Sequence, residues 1–371
     1  MAGCVGVARR VGAMGRGGRV AAVNRTGAPH RQSAPVCLYW QAMPENRIGS
    51  PLLQAASAKR QAMKPEVANS WNANKGGCAV TTGVVLEGGG FRGLYTAGVL
   101  DVWMEAGVTA DATVGVSAGS AFGYNFKSRQ IGRVLRYNKA YCADPRYASL
   151  GNWLRTGDLY SKDFAYGTVP FELDPVDDAT FAAWPMRFVS VATDINSGEP
   201  VYHDLKQGCV EDVEWIRASA SIPVLSRPVV LEGHELLDGG VADPIPVEWM
   251  RSQGYRRIAV VLTQPQGYRK EPNRLMPLLR VWLHRYPRLV ALLANRHERY
   301  NACLDKIAQL ERVGELFVIR PSRDVSVPAV CKDPAKLEEI YDVGRADAER
   351  SLTALQEFFA DDETGIVAVE S

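Results

Sequence analysis

Val80-Thr81-Thr82-Gly83-Val84-Val85-Leu86, followed by Glu87-Gly88-Gly89-Gly90-Phe91-Arg92-Gly93, is the stretch on which the fold turns. A short β-branched apolar run fits a buried parallel strand. The glycines break it. From Leu94 to Ala106, apolar residues recur at Leu94, Tyr95, Val99, Val102, Trp103 and Ala106, which is helical spacing. Gly107 stands where a helix commonly closes. Thr113-Val114-Gly115-Val116 is a second short strand, and Ser117-Ala118-Gly119-Ser120-Ala121 turns into a second helix. A βαβα opening favours an α/β fold with a mainly parallel sheet and right-handed crossovers. Further on, the pattern predicts strands over Arg187–Thr193, Arg257–Thr263 and Leu316–Ile319. It predicts a hairpin-like pair around Gly233 and helices over Val213–Ala220, Pro244–Gln253 and Pro334–Phe359. Leu275–Arg312 reads as largely helical, with a break at Pro287.

The chain has 371 residues, 46% apolar and 23% charged, with a formal net charge of +2. These proportions exclude fibrous, collagen-like and wholly disordered classes. The total charge implies no partner, and no nucleic acid is expected to bind. No run of 18 uncharged apolar residues occurs, so no transmembrane helix is expected. The balance hides an asymmetry: residues 1–79 carry eleven Lys/Arg against Glu45 and Glu66, a net +9 that leaves −7 for residues 80–371. That stretch lacks a sustained period and reads as a disordered basic head, either inert or a targeting segment. Seven scattered cysteines without CxxC spacing read as free thiols in a reducing compartment. A cytoplasmic location is expected.

Gly115-Val116-Ser117-Ala118-Gly119 is a GxSxG between a strand and a helix. The glycines permit a tight turn that lifts the Ser117 hydroxyl above the strand ends, which marks a nucleophile. In Gly88-Gly89-Gly90-Phe91-Arg92-Gly93, consecutive glycines let backbone N–H groups point at one place, and the following helix adds its positive end. The loop has no GK[ST] and no suitably placed acid, so an oxyanion hole is the better reading than a nucleotide site. Arg92 can support that hole, pair with a lipid phosphate or form a structural salt bridge. A serine nucleophile needs a base. His30 lies in the head, and His203, His234, His284 and His297 have no convincing context. Leu236-Leu237-Asp238-Gly239-Gly240 places a carboxylate at the end of an apolar run, with glycines that clear space for close approach. Asp194, at another strand end, is its rival, with loop capping as the plainer role. Asp243, ahead of Pro244, is expected to cap a helix.

GGGxRG at Gly88–Gly93, GxSxG at Gly115–Gly119 and DGG at Asp238–Gly240, in that order, resemble the patatin-like phospholipases, which are serine acyl hydrolases of an α/β class. Ala218-Ser219-Ala220-Ser221-Ile222-Pro223 also looks like that family's stretch ahead of the Asp. The resemblance covers roughly Val80–Val247. The later VVLTQPQGYRK, RYP and RHERYN stretches are similar to a bacterial branch. It implies a three-layer α/β/α sandwich with a mainly parallel central sheet, plus a helical C-terminal extension. It also implies a Ser–Asp dyad with Ser117 as nucleophile and Asp238 as base, oxyanion-hole amides around Gly89, Gly90 and Phe91, and no metal or cofactor. The expected organisation is a head over 1–79, a catalytic domain over 80–265 and a mostly helical region over 266–371 packed on it. The substrate class is a lipid or other acyl ester. The alternatives are a Ser–His–Asp hydrolase or acyltransferase, and an inactive lipid-binding module.

Between Arg274 and Arg299, six arginines and one acid, Glu298, interleave with leucines, valines and Trp282. Such a segment reads as a peripheral membrane contact. The plainer reading is a packed helix pair with a solvated basic face.

Overall fold

The computed structural model describes residues 81–328 and 330–360. The head expected at 1–79 lies outside the described residues. The chain opens with β1 (Thr82–Leu86), α1 (Gly93–Glu105), β2 (Ala112–Val116) and α2 (Ala118–Lys127). Helices α3 (Arg133–Tyr141) and α4 (Leu150–Thr156), a π-helical segment (Phe164–Leu173) and α5 (Asp178–Ala183) follow. Then come β3 (Arg187–Asp194), β4 (Pro200–Leu205), α6 (Val210–Ser219), β5 (Val229–Leu231), β6 (His234–Asp238), α7 (Val247–Ser252) and β7 (Arg257–Val261). The last elements are α8 (Met276–Trp282), α9 (Pro287–Ala294), α10 (Arg296–Arg312), β8 (Leu316–Ile319) and α11 (Pro334–Ala360).

All eight strands form one sheet, paired in the path β5-β6-β3-β2-β1-β7-β8 with β4 also on β3. The run from β3 through β2, β1 and β7 to β8 is parallel, and β4, β5 and β6 are antiparallel. Alternate strand residues face opposite ways. On β1, Val84 and Leu86 enter a core with Leu94, Trp103, Phe126 and Leu337 of α1, α2 and α11. Val85 enters a second core with Met250, Ile307 and Leu310 of α7 and α10. The sheet is thus covered by helices on both faces, an α/β sandwich that does not close into a barrel.

The register explains how two distant segments meet. Strand β4 occupies one edge of β3 along Phe188–Thr193, so β2 and β6 must share the other edge. Strand β2 pairs as far as Val116 with Val191, and β6 takes over at Asp238 with Ala192. These are successive rungs, approached from opposite directions, so the residue after Val116 arrives beside Asp238.

Two expectations shift. The helix expected over Pro244–Gln253 is shorter, Val247–Ser252, because Pro244 and Pro246 hold the preceding backbone out of the helical region. Pro246 and not Asp243 stands at the N-cap, and the Asp243 carboxylate accepts from the Tyr202 hydroxyl at 2.7 Å. Pro287 opens α9 as its first residue, where a missing N–H costs little.

Candidate active site

Ser117 closes β2 and opens α2 at φ 55°, a left-handed conformation for a non-glycine residue. Its N–H donates to Ser219 Oγ at 2.9 Å, and its carbonyl starts the α2 ladder. Both glycines of the turn are forced by close approach. A Cβ on Gly119 would stand 2.4 Å from the Leu86 carbonyl oxygen, and one on Gly115 would stand 2.5 Å from that of Gly119. The residue lies where β1 and β2 end, and a Cβ on Gly88 would be 2.9 Å from that of Ser117. The glycine loop thus presses directly on the predicted nucleophile.

Within that loop, Gly90 has φ +57° and begins a 3₁₀ turn through Arg92. The Gly89 and Gly90 N–H groups donate to no acceptor among the described residues. The Thr263 hydroxyl donates to Gly88 O at 2.8 Å. Glu87, buried immediately before the loop, accepts from Thr263 N–H at 2.6 Å and from the Tyr300 hydroxyl at 2.5 Å. Burial pushes the Glu87 carboxyl up, against the pull of those hydrogen bonds.

Asp238 is 6% exposed, and its carboxyl lies near enough to the Ser117 side chain for that hydroxyl to favour the ionised form. Burial pushes its carboxyl up from the ordinary range; Arg296, the Ser117 side chain and the Gly240 N–H, at 2.8 Å, pull the other way. Its own N–H is held by Ser221 O at 2.7 Å, and its carbonyl accepts from Thr193 Oγ1 at 2.8 Å. Gly239 is obligatory, because a Cβ there would lie 2.1 Å from Val191 O. Arg296 Nε donates to Gly240 O, and Arg299 donates to Val241 O and Ala242 O. Two arginines from the start of α10 therefore fasten the turn that carries Asp238.

The histidines are placed elsewhere. His203 stacks on Trp215 at 3.9 Å, and His234 pairs with Asp194 at 2.6 Å. His284 bonds the Val281 carbonyl, and His297 faces Glu298. Among the described residues, no histidine hydrogen-bonds to Ser117. Asp194 also accepts from the Asn196 and Ser197 N–H groups, which makes it a loop cap. No cluster of three His, Cys, Asp or Glu among the described residues could hold a metal ion. Beside Ser117 opens a cavity with apolar walls such as Phe122, Val169 and Ile216, and several tyrosines including Tyr137 and Tyr166.

Residues 84–249 match the family model of patatin-like phospholipases, and residues 286–360 match a domain of unknown function. The match over residues 84–249 supports lipid ester hydrolysis as the general class of activity. The uncharacterized protein YjjU of Escherichia coli strain K12 is 29% identical over 280 residues, 71% of this chain and 74% of that protein. Lysophospholipase nte1 of Aspergillus oryzae is 28% identical over 297 residues, 75% of this chain but 18% of that protein. The chain thus spans under a fifth of that fungal relative. Among solved structures, VipD from Legionella pneumophila aligns with a TM-score of 0.36 at 13% identity, covering 74% of this chain and 67% of that one. The type III effector ExoU aligns with a TM-score of 0.29 at 9% identity, covering 76% of this chain and 54% of that one.

Proposed function

We propose that the chain is a serine acyl hydrolase that cleaves ester bonds of phospholipids or related lipids through a Ser117–Asp238 dyad. The observation that carries this reading is the register of β3, which brings the residue after Val116 and the buried Asp238 together on successive rungs at adjoining strand ends. Asp238 accepts the proton as Ser117 Oγ attacks the ester carbonyl. The amides of Gly89, Gly90 and Phe91 receive the oxyanion, a contribution of about 2.7–4 kcal/mol per donor. Collapse of the tetrahedral intermediate breaks the ester C–O bond, and the alcohol leaves with the proton returned from Asp238; water, activated by the same carboxylate, then cleaves the acyl-serine and releases the fatty acid. A free Asp, near pKa 3.9, is a weak base for a hydroxyl. Burial favours the neutral form and so strengthens the base. Residues 80–265 form the catalytic part in this reading, and the region beyond it completes the site from α10.

The test is hydrolysis of a panel of phospholipids, lysophospholipids and monoacylglycerols by the full chain, with Ser117→Ala as control. Ser117-dependent release of fatty acid supports the reading; release that survives the substitution, or none from any lipid, refutes it.

The exposed face of α8 favours a membrane contact as well. Leu278, Val281 and Trp282 stand out to solvent beside Arg274, Arg280 and Arg285. We read this face as the part that meets an anionic lipid surface.

A further inference from the structure

Three cations gather around the two loops of the site. Arg296 donates from Nε to Gly240 O at 2.9 Å, and its Nη2 lies 3.3 Å from where a Cβ on Gly240 would stand. Arg92 lies within the glycine loop, with Nη2 3.3 Å from the Cβ position of Gly89. Its Nε is buried without a hydrogen-bond partner among the described residues. Lys270 Nζ stands 5.4 Å from the ring centre of Tyr300, whose hydroxyl holds Glu87 just ahead of that loop. Lys270 feels both arginines: burial, then Arg296 and Arg92, push its ammonium down to about 8 against the pull of Glu87. None of them makes an ion pair with a carboxylate among the described residues. The acids within their reach are otherwise engaged. Glu87 is bonded by Thr263 and Tyr300, Asp238 by the Gly240 N–H, and the exposed Asp324, which feels Arg92, by Ser326. Glu87 and Asp238 offset part of this charge without pairing directly with it, and an anion of matching geometry among the three cations adds favourable contacts.

The position is as informative as the charge. Tyr300 of α10 belongs to the core behind Val85, on one face of the sheet. The tyrosine-lined cavity, with Phe122 and Tyr137, belongs to the core on the other face. Ser117 lines that cavity, while the turn that carries Asp238 beside it is held from α10 by Arg296. An ester centred there has its two ends in different surroundings, one apolar and one cationic.

We propose that Arg92, Lys270 and Arg296 form a phosphate subsite beside Ser117, which seats the headgroup phosphate of a phospholipid or lysophospholipid while the acyl chain enters the tyrosine-lined cavity. Two guanidinium forks and an ammonium suit a group with several charged oxygens. Lys270 and Arg296 both lie outside residues 84–249, so most of this subsite comes from the region that follows the phospholipase match. The inference rests on Ser117 being the esterase nucleophile.

The experiment uses the full chain and two substrates with one acyl chain, 1-palmitoyl lysophosphatidylcholine and 1-palmitoylglycerol. In Lys270→Gln, the ratio of kcat/KM for the phosphate-bearing substrate over the phosphate-free one falls about tenfold, through KM. Lys270→Arg restores most of that ratio. Inorganic phosphate inhibits the parent protein competitively, and its inhibition weakens about tenfold in Lys270→Gln. An unchanged ratio in both Lys270→Gln and Arg92→Gln overturns the proposal. Phosphate inhibition that weakens while the ratio stays fixed also overturns it, because the site then takes free phosphate and not a headgroup. If Ser117→Ala turns over both lipids as fast as the parent, the hydrolase reading falls by itself. Calorimetric titration with phosphate then decides whether the three cations bind an anion at all.

Discussion

Ser117 holds a left-handed backbone at φ 55°, a conformation that costs a non-glycine residue about 1–3 kcal/mol. The fold tolerates it because the Ser219 hydroxyl takes its N–H and α2 takes its carbonyl. Ser117→Ala removes only the hydroxyl, so ester turnover is expected to fall to background with an unchanged melting curve. Asp238→Asn keeps the shape and loses the base, and kcat is expected to drop by about 10²–10⁴. The base must be ionised, and burial has raised its pKa, so activity falls with decreasing pH on a limb above the ordinary carboxylate value of about 3.9. A pH–rate profile of the parent protein that is flat through that region contradicts this role. Gly119→Ala drives a Cβ into the Leu86 carbonyl and is expected to cost about 1–3 kcal/mol or more, visible as a lower Tm. These positions were legible in the sequence because a sharp turn and a close approach can be written only with glycine. Glu87, Tyr300, Lys270 and Arg296 were not. Glu87 and Tyr300 are 213 residues apart, and a contact made across the fold leaves no local period or motif.

At the level of elements, α1 and α11 cross at two glycines. A Cβ on Gly98 would lie 2.1 Å from Tyr341 O, and one on Gly344 would lie 2.1 Å from Tyr95 O. The two backbones touch, so Gly344→Ala must push the helices apart. It is expected to destabilise by about 1–3 kcal/mol, measured by urea unfolding, with the midpoint lowered. The α8 face predicts a different measurement. Binding to vesicles is expected to rise with anionic lipid and to fall with salt, and Trp282→Ala should weaken it. Salt-independent binding contradicts a contact through the arginines of this segment. The parallel strands were readable because burial on both faces makes each a continuous apolar run. Strand β4 was not, since Pro200-Val201-Tyr202-His203-Asp204-Leu205 is half exposed along most of its length and held by pairing with β3. Helices α3, α4 and α5 escaped notice for a related reason. They are six to nine residues long, too few turns for a helical period to stand out in the sequence.

For the molecule as a whole, the C-terminal region is part of the same sheet-and-helix body as the site. Strand β8 extends the sheet beside β7, and α11 buries Leu337, Ile340, Val343 and Leu355. Those four side chains contribute about 1.5–3 kcal/mol each, together comparable with the 5–15 kcal/mol net stability of a typical domain. A chain cut before Pro334 is expected to lose its cooperative unfolding transition. The most direct test of the Ser117–Asp238 pairing is labelling by a fluorophosphonate probe, with the adduct mapped by mass spectrometry. The expected result is a single modified residue, Ser117, labelled far more slowly in Asp238→Asn and at the parent rate when His203, His234, His284 or His297 is replaced by Ala. A rate that ignores Asp238 but collapses with one of those histidines would overthrow the dyad.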